Sequence, residues 1–322
     1  MTRKLFIILL FCGVLIGSNA QEYATDNVKS FFNEALTDYT SYNNLRILCK
    51  KFEGRITGTP QAAGAVEFTY QIMKDMNLDS VYKQPVKVPR WVRGESERAS
   101  VHSSFFGAAK VPVTALGMSV GTGDDGLLAK IVEVHGIKDL ENFSNEQIDG
   151  KIVFFNEPMD PTLINTFSAY GKAANQRTRG AAEAAKYGAV GVVVRSLTTS
   201  FDDFPHTGVM RYEKGVKKIP AVAISTNGAE LLSKWLQKDS DLNFYFRTTC
   251  KTLPDVTSHN VIGEIRGREY PDEIITVGGH LDAWWPGEGA HDDGAGCMQS
   301  IEVLRLFQEL GIRPKRTIRA VM

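Results

Sequence analysis

The stretch His280–Gly296, HLDAWWPGEGAHDDGAG, concentrates groups able to do chemistry. Two imidazoles, His280 and His291, and four carboxylates, Asp282, Glu288, Asp292 and Asp293, fall within it, separated by glycines that let the backbone turn tightly. A neutral imidazole and a carboxylate suit Zn²⁺. Asp282 stands two residues from His280 and can accept the other ring N–H, holding the tautomer. Asp292 and Asp293 precede a helical pattern, where free N–H groups and the helix dipole favour negative charge. Metal binding, and helix capping with ordinary turn carboxylates, both account for the pattern. A phosphate-cradling loop is disfavoured, because the glycines come with four carboxylates and no lysine.

The flanking pattern places this stretch between a strand and a helix. Glu273–Gly279 reads as an apolar strand covered on both faces, and Cys297–Leu310 as an amphipathic helix with Ile301, Leu304, Phe307 and Leu310 inward. Gly311 and Pro314 end that helix, and Arg316–Met322 begins another strand. Loops beyond the carboxyl ends of strands are where open α/β sheets place their sites. Residues 23–53 read as mainly helical, with Phe31, Phe32, Ala35 and Leu36 on one face. Arg55–Pro60 is a turn, and Ala62–Met76 a helix with Ala65, Phe68, Ile72 and Met76 on its stripe. Val81–Trp91, with two prolines, suits an edge strand, and 99–106 returns as its neighbour. From 107 to 255 short apolar strands (129–134, 151–156, 189–194, 220–224, 242–247) and two helices (178–187, 229–237) mark a separate β-rich domain.

With 37 basic and 37 acidic residues, the chain has no excess charge for a general nucleic-acid binder, and none is expected as partner. Arg3 and Lys4, the apolar run Leu5–Gly17 and the small-residue exit Ser18–Ala20 describe a secretory signal peptide over 1–20. Thirteen residues make about 20 Å of helix against a hydrocarbon core of about 30 Å, so no integral membrane segment is expected in the mature chain. The expected location is secreted, periplasmic or otherwise extracytoplasmic. Cys49, Cys250 and Cys297 remain after cleavage, an odd number, and a Cys49–Cys250 bridge is one pairing the count allows. Asn142-Phe143-Ser144 matches a glycosylation acceptor.

The stretches GRITGTPQAAGAVEF (54–68), NQRTRGAAEAAKYGA (175–189), FPHTG (204–208), GHLDAWWPGEGAHDDGAG (279–296) and LGIRPKRTIRAVM (310–322) together resemble the secreted zinc exopeptidases of the plasma glutamate carboxypeptidase (carboxypeptidase Q) group. The resemblance implies a three-layer α/β/α zinc-peptidase sandwich, made of 21–106 and 256–322 and interrupted by a protease-associated domain at 107–255. It implies two zinc ions, with His280 as a ligand of one and Asp292 bridging both. Asp282 is then the partner that orients His280, and Asp293 follows Asp292 through a cis peptide bond. His291 matches no ligand of the group, and Trp285 stands where the group often carries a carboxylate. Short peptides are the implied substrate, and a homodimer is a possible assembly.

In this group the strand after the Asp-Asp-Gly helix runs into a Glu-Glu pair supplying the general base and a zinc ligand, and an aspartate and a histidine follow. Here the chain reaches Met322 before any such pair. The expectation therefore separates a family function, zinc-dependent release of terminal residues, from the activity of these 322 residues, expected to be none. An aminopeptidase of the same clan and a non-catalytic secreted binding module built on 107–255 are the alternative readings. N-terminal sequencing of exported protein should begin at Gln21; a mature form that keeps Arg3 would refute cleavage after Ala20.

Overall fold

Residues 27–322 are described in a computed structural model, and the expected leader at 1–20 lies outside them. The chain divides into two compact units, one of residues up to Lys87 together with Thr257–Met322, the other Val88–Val256.

The first unit opens with three helices: α1 over residues 27–37, α2 Thr40–Lys51 and α3 Pro60–Asp75. Thr59 caps α3, its hydroxyl accepting from the Ala62 N–H at 3.3 Å, and Pro60 pre-sets the first turn. The buried face of α3 is Ala62, Ala65, Val66, Thr69 and Met73. The expected stripe of Phe68, Ile72 and Met76 lies half-buried at its flank. Small residues win the inner face because the helix sits close to the sheet. A Cβ at Gly263 would stand only 2.8 Å from the Met73 sulfur. On α1, Phe31 packs edge-on against Phe307 at 4.8 Å, whereas Phe32 and Leu36, expected beside it in the core, are exposed. Strand β1, Ser80–Val92, follows as an edge strand, the position its prolines require.

In the second unit, β2 (Arg98–Ser103), β3 (Gly107–Lys110), β4 (Val113–Ala115), β5 (Leu127–Val134), β6 (Ile152–Phe155), β7 (Gly191–Arg195), β8 (Ala221–Ile224) and β9 (Asn243–Arg247) form one eight-stranded sheet. Its order is β3-β2-β9-β5-β6-β7-β8-β4, with β5 to β8 mutually parallel. Helices α4 (Asn145–Ile148), α5 (Thr166–Lys186) and α6 (Thr226–Leu236) complete it. Every residue of β6, β7 and β8 is buried, as parallel strands covered on both faces should be. Alternate residues feed two cores, one holding Phe154, Val193 and Leu232 of α6, the other Phe155, Val192 and Ala184 of α5.

Strand pairing and capping correct two expectations. The segment at 99–106 does not return beside β1; β2 pairs with β3 and β9, so the unit begins near 88 rather than 107. Helix α5 begins at Thr166, well before 178, because Asn165 caps it by accepting from the Ser168 N–H at 3.3 Å.

The first unit resumes with β10 (Lys251–Ile265), β11 (Tyr270–Gly278), α7 (Ala295–Glu309) and β12 (Arg316–Val321). The sheet order is β1-β10-β12-β11, with β11 and β12 parallel across α7 and β10 antiparallel to β12. Leu48 of α2, Met73 of α3 and Ile301 and Leu304 of α7 pack with Val261, Ile265, Ile318 and Ala320 into one core on one face of this sheet. The molecule is thus a mixed α/β protein. Strand β11, expected in the interior, is an edge among the described residues, with Ile274 and Ile275 44% and 51% exposed. Among the described residues β12 lies between β10 and β11, and β11 has one neighbour.

All three described cysteines are free and buried, so the Cys49–Cys250 bridge does not form. Burial pushes each thiol up, Cys250 to about 11 and Cys297 to about 12, which keeps them protonated and unreactive. Among the described residues no helix is long and apolar enough to cross a membrane. Phe154, fully buried between β5 and β7, supplies a test of the second unit's core. Phe154→Ala should lower the unfolding free energy of this unit by about 3–5 kcal/mol in urea denaturation, and a change below about 1 kcal/mol would show that the core is not packed this way.

Candidate metal centre

The carboxyl end of β11 delivers His280 through Gly278 and Gly279. Gly279 is required there by a close approach, since a Cβ would meet the Asp293 carboxylate at 2.5 Å and the Cys297 nitrogen at 2.8 Å. That contact brings the strand end against the start of α7. The His280 N–H donates to Asp293 Oδ2 at 3.1 Å, tying the two halves of the stretch together.

The imidazole is held at both ends. Its Nδ1 lies 3.1 Å from the Asp282 carbonyl oxygen and 3.3 Å from Asp282 Oδ1. With Nδ1 carrying the proton toward these acceptors, Nε2 is left to face Asp292 Oδ1 at 2.9 Å. Asp282 is itself anchored, since Thr57 donates its hydroxyl to Oδ2 at 2.6 Å. Burial alone would lower the His280 pKa, but the Asp282 carbonyl and the carboxylates of Asp282, Asp292 and Asp293 outweigh it and raise the pKa above its ordinary value. Without a proton or a cation between them, Nε2 and a carboxylate oxygen would present lone pair to lone pair.

The loop is shaped from beneath by Arg55, which is fully buried. Its Nε donates to the Leu281 carbonyl at 2.6 Å, Nη1 to Glu288 O at 2.8 Å and Nη2 to Gly289 O at 2.7 Å. The Ala283 N–H returns a bond to the Arg55 carbonyl at 3.2 Å. Gly289 adopts φ +62°, and a Cβ there would collide with Ala283 and with the guanidinium. The Trp285–Pro286 and Asp292–Asp293 peptide bonds are both cis, the second as the resemblance implies.

Zinc–nitrogen and zinc–oxygen bonds of about 2.0–2.2 Å put two ligands of one ion about 3–3.5 Å apart. The pair His280 Nε2 and Asp292 Oδ1 approaches that spacing, and both side chains are open to solvent, so the donors present fit zinc by chemistry and placement. They fill two positions. No group of three or more His, Cys, Asp or Glu able to hold a metal occurs among the described residues. Glu288 points elsewhere, its carboxylate paired with Lys50 at 2.5 Å, and His291 is exposed outside this arrangement. Reading 55–60 as turn formers misses Arg55 and Thr57; an arginine between Gly54 and Gly58 in a turn is the available signal.

Residues 260–322 match the model of peptidase family M28. The chain is 35% identical to carboxypeptidase Q of Bos taurus over 302 residues, 92% of this chain and 61% of that protein. A solved peptidase M28 precursor from Shewanella amazonensis superimposes with a TM-score of 0.86 at 36% identity, covering 92% of this chain and 66% of that one. A zinc aminopeptidase from Bacillus subtilis superimposes at 0.58 and 21% identity over 87% of this chain and 60% of that one, a likeness of fold alone. The chain spans about three fifths of the length of the curated relatives it matches.

Arg55→Met leaves three loop carbonyls without their donors. At about 1–3 kcal/mol for each, the loss should reach about 3 kcal/mol or more, read as a lower urea midpoint for the first unit. Arg55→Lys should recover part of it, since an ammonium cannot span all three acceptors. Unchanged stability in both variants would show that the clamp does not hold the loop.

Proposed function

Because the chain carries a domain of peptidase family M28, we propose that it contributes part of the active site of a secreted zinc-dependent exopeptidase acting on the terminal peptide bonds of dipeptides or short peptides. The observation that carries this reading is the facing pair His280 Nε2 and Asp292 Oδ1, 2.9 Å apart, with the other imidazole nitrogen already engaged. His280 is proposed as a ligand of one zinc, Asp292 as the carboxylate bridging two, and Asp282 as the residue that orients His280. The chemistry a zinc pair supplies when bound is Lewis-acid activation of water and of the scissile carbonyl. The chain's own residues prepare the site. Asp282 and Thr57 hold the ring tautomer, Asp293 joins strand end to helix start, and Arg55 sets the loop between them.

Carboxypeptidase action is preferred over aminopeptidase action because the relatives at about one-third identity are carboxypeptidases Q, whereas the aminopeptidases match in fold alone. Location outside the cytoplasm rests on the basic, apolar and small-residue pattern of 1–20. The two-donor set supports weak zinc binding and no turnover by these 322 residues alone, since neither a third ligand nor a free glutamate base stands at the site among the described residues.

Zinc titration against a competing chelator tests the assignment. His280→Ala and Asp292→Ala should abolish what binding there is, and Asp282→Ala should weaken it about 10- to 100-fold. Affinity should rise with pH through a midpoint above the ordinary imidazole value of 6.5, because the proton on His280 competes with the metal and the acidic surroundings retain it. Undiminished binding by His280→Ala would remove the assignment. Efficient, chelator-sensitive release of terminal residues by the purified chain would overturn the claim of an incomplete donor set.

A further inference from the structure

Among the described residues four arginines are less than one-tenth exposed: Arg55, Arg177, Arg195 and Arg305. Burying a cation is costly unless acceptors replace its water. Arg55 has three carbonyls. Arg195 has Glu230 at 2.6 Å and the Asn156 side-chain oxygen at 3.0 Å. Arg305 is surrounded by Glu302, Glu34 and Asp38. Arg177, in the second unit, differs in its lack of a counter-charge. It is 8% exposed, no carboxylate pairs with it among the described residues, and its Nε, like that of Arg195, is buried with no hydrogen-bond partner. Its guanidinium donates from Nη2 to the hydroxyl of Tyr170, about two turns earlier on α5, and its Cζ lies 5.2 Å from that ring's centre.

The surroundings are built rather than incidental. Gly208 lies against the guanidinium so closely that a Cβ there would stand 2.6 Å from Cζ, 2.7 Å from Nη1 and 2.9 Å from Nε. The segment carrying Gly208 is fixed on both sides. The His206 N–H donates to Ser196 Oγ at 2.8 Å, the Thr207 hydroxyl to Ala115 O at 2.7 Å, and Gly208 O accepts from Gly117 N at 2.9 Å. Two stretches that the metal centre does not use, NQRTRGAAEAAKYGA and FPHTG, thus meet at one uncompensated cation.

We propose that Arg177 anchors a carboxylate-binding site in the second unit, formed with the Tyr170 hydroxyl and bounded by Gly208. A single guanidinium matches a single negative charge, and its planar fork pairs with a planar carboxylate better than with a doubly charged phosphate, which would call for a second cation. The ligand is a small organic acid or the free carboxyl terminus of a peptide. The inference does not depend on the proposed peptidase function, because every group it uses lies within Val88–Val256.

The test is calorimetric titration of the whole chain in EDTA with sodium acetate, glycyl-leucine, glycyl-leucinamide and sodium phosphate. Acetate or glycyl-leucine should bind and the amide should not; acetate binding alone marks a small-acid site, and tighter glycyl-leucine marks a peptide terminus. Arg177→Gln should weaken binding on the order of tenfold to a hundredfold, the range a charge-assisted hydrogen bond supports. Gly208→Ala, which leaves the charge but crowds the fork, should weaken it as well and serves if Arg177→Gln does not fold. His280→Ala should bind as the parent does, which separates this site from the metal centre. Equal binding of acid and amide, phosphate binding tighter than any carboxylate, undiminished binding in both Arg177→Gln and Gly208→Ala, or no carboxylate binding at all would overturn the proposal.

Discussion

A guanidinium taken out of water must be met by acceptors, and Arg55 meets three carbonyls of one loop. That match fixes where residues 281–289 run, and through them where His280 and Asp282 sit relative to the start of α7. The glycines follow from the same constraint. Gly289 has no room for a side chain because the guanidinium fills it, and Gly279 has none because the strand end abuts the helix. The acidic groups then arrange themselves around an imidazole whose ring is held at Nδ1, leaving Nε2 directed at Asp292. Protein contacts thus set the backbone positions and the ring orientation of these donors.

The two units solve burial differently. In Val88–Val256 the parallel strands β6 to β8 are wholly buried, with a core on each face, and the sheet has the helices α5 and α6 to close it. In the first unit one core joins α2, α3 and α7 to one face of a four-stranded sheet. Among the described residues its strand β11 remains open along one edge, directly before the residues of the metal centre. The metal-centre residues follow the carboxyl end of β11, where α/β sheets place their sites.

Much of this is legible in the chain. The run EIITVGG followed by HLDAWWPGEGAHDDGAG declares a strand, a turn-rich loop and a helix, because apolar periodicity and glycine report local conformation directly. Residue type and spacing single out the candidate donors His280, Asp282 and Asp292, and the resemblance sharpens their roles. The short strands of the second unit are visible for the same reason, and Pro85 and Pro89 mark β1 as an edge.

What the sequence by itself could not decide is the partners of those elements. Nothing local in 99–106 says that it joins β9, more than a hundred residues away, rather than β1 beside it. Phe32 and Leu36 have core-like character, yet both are exposed, while Ala65 and Met73 hold the inner face of α3 because close packing favours small and flexible side chains there. Arg55 and Arg177 look alike in sequence, each beside turn formers or alanines. Only the tertiary structure gives one of them three acceptors and leaves the other with a phenol, because desolvation and hydrogen bonding depend on which distant segments the fold brings together.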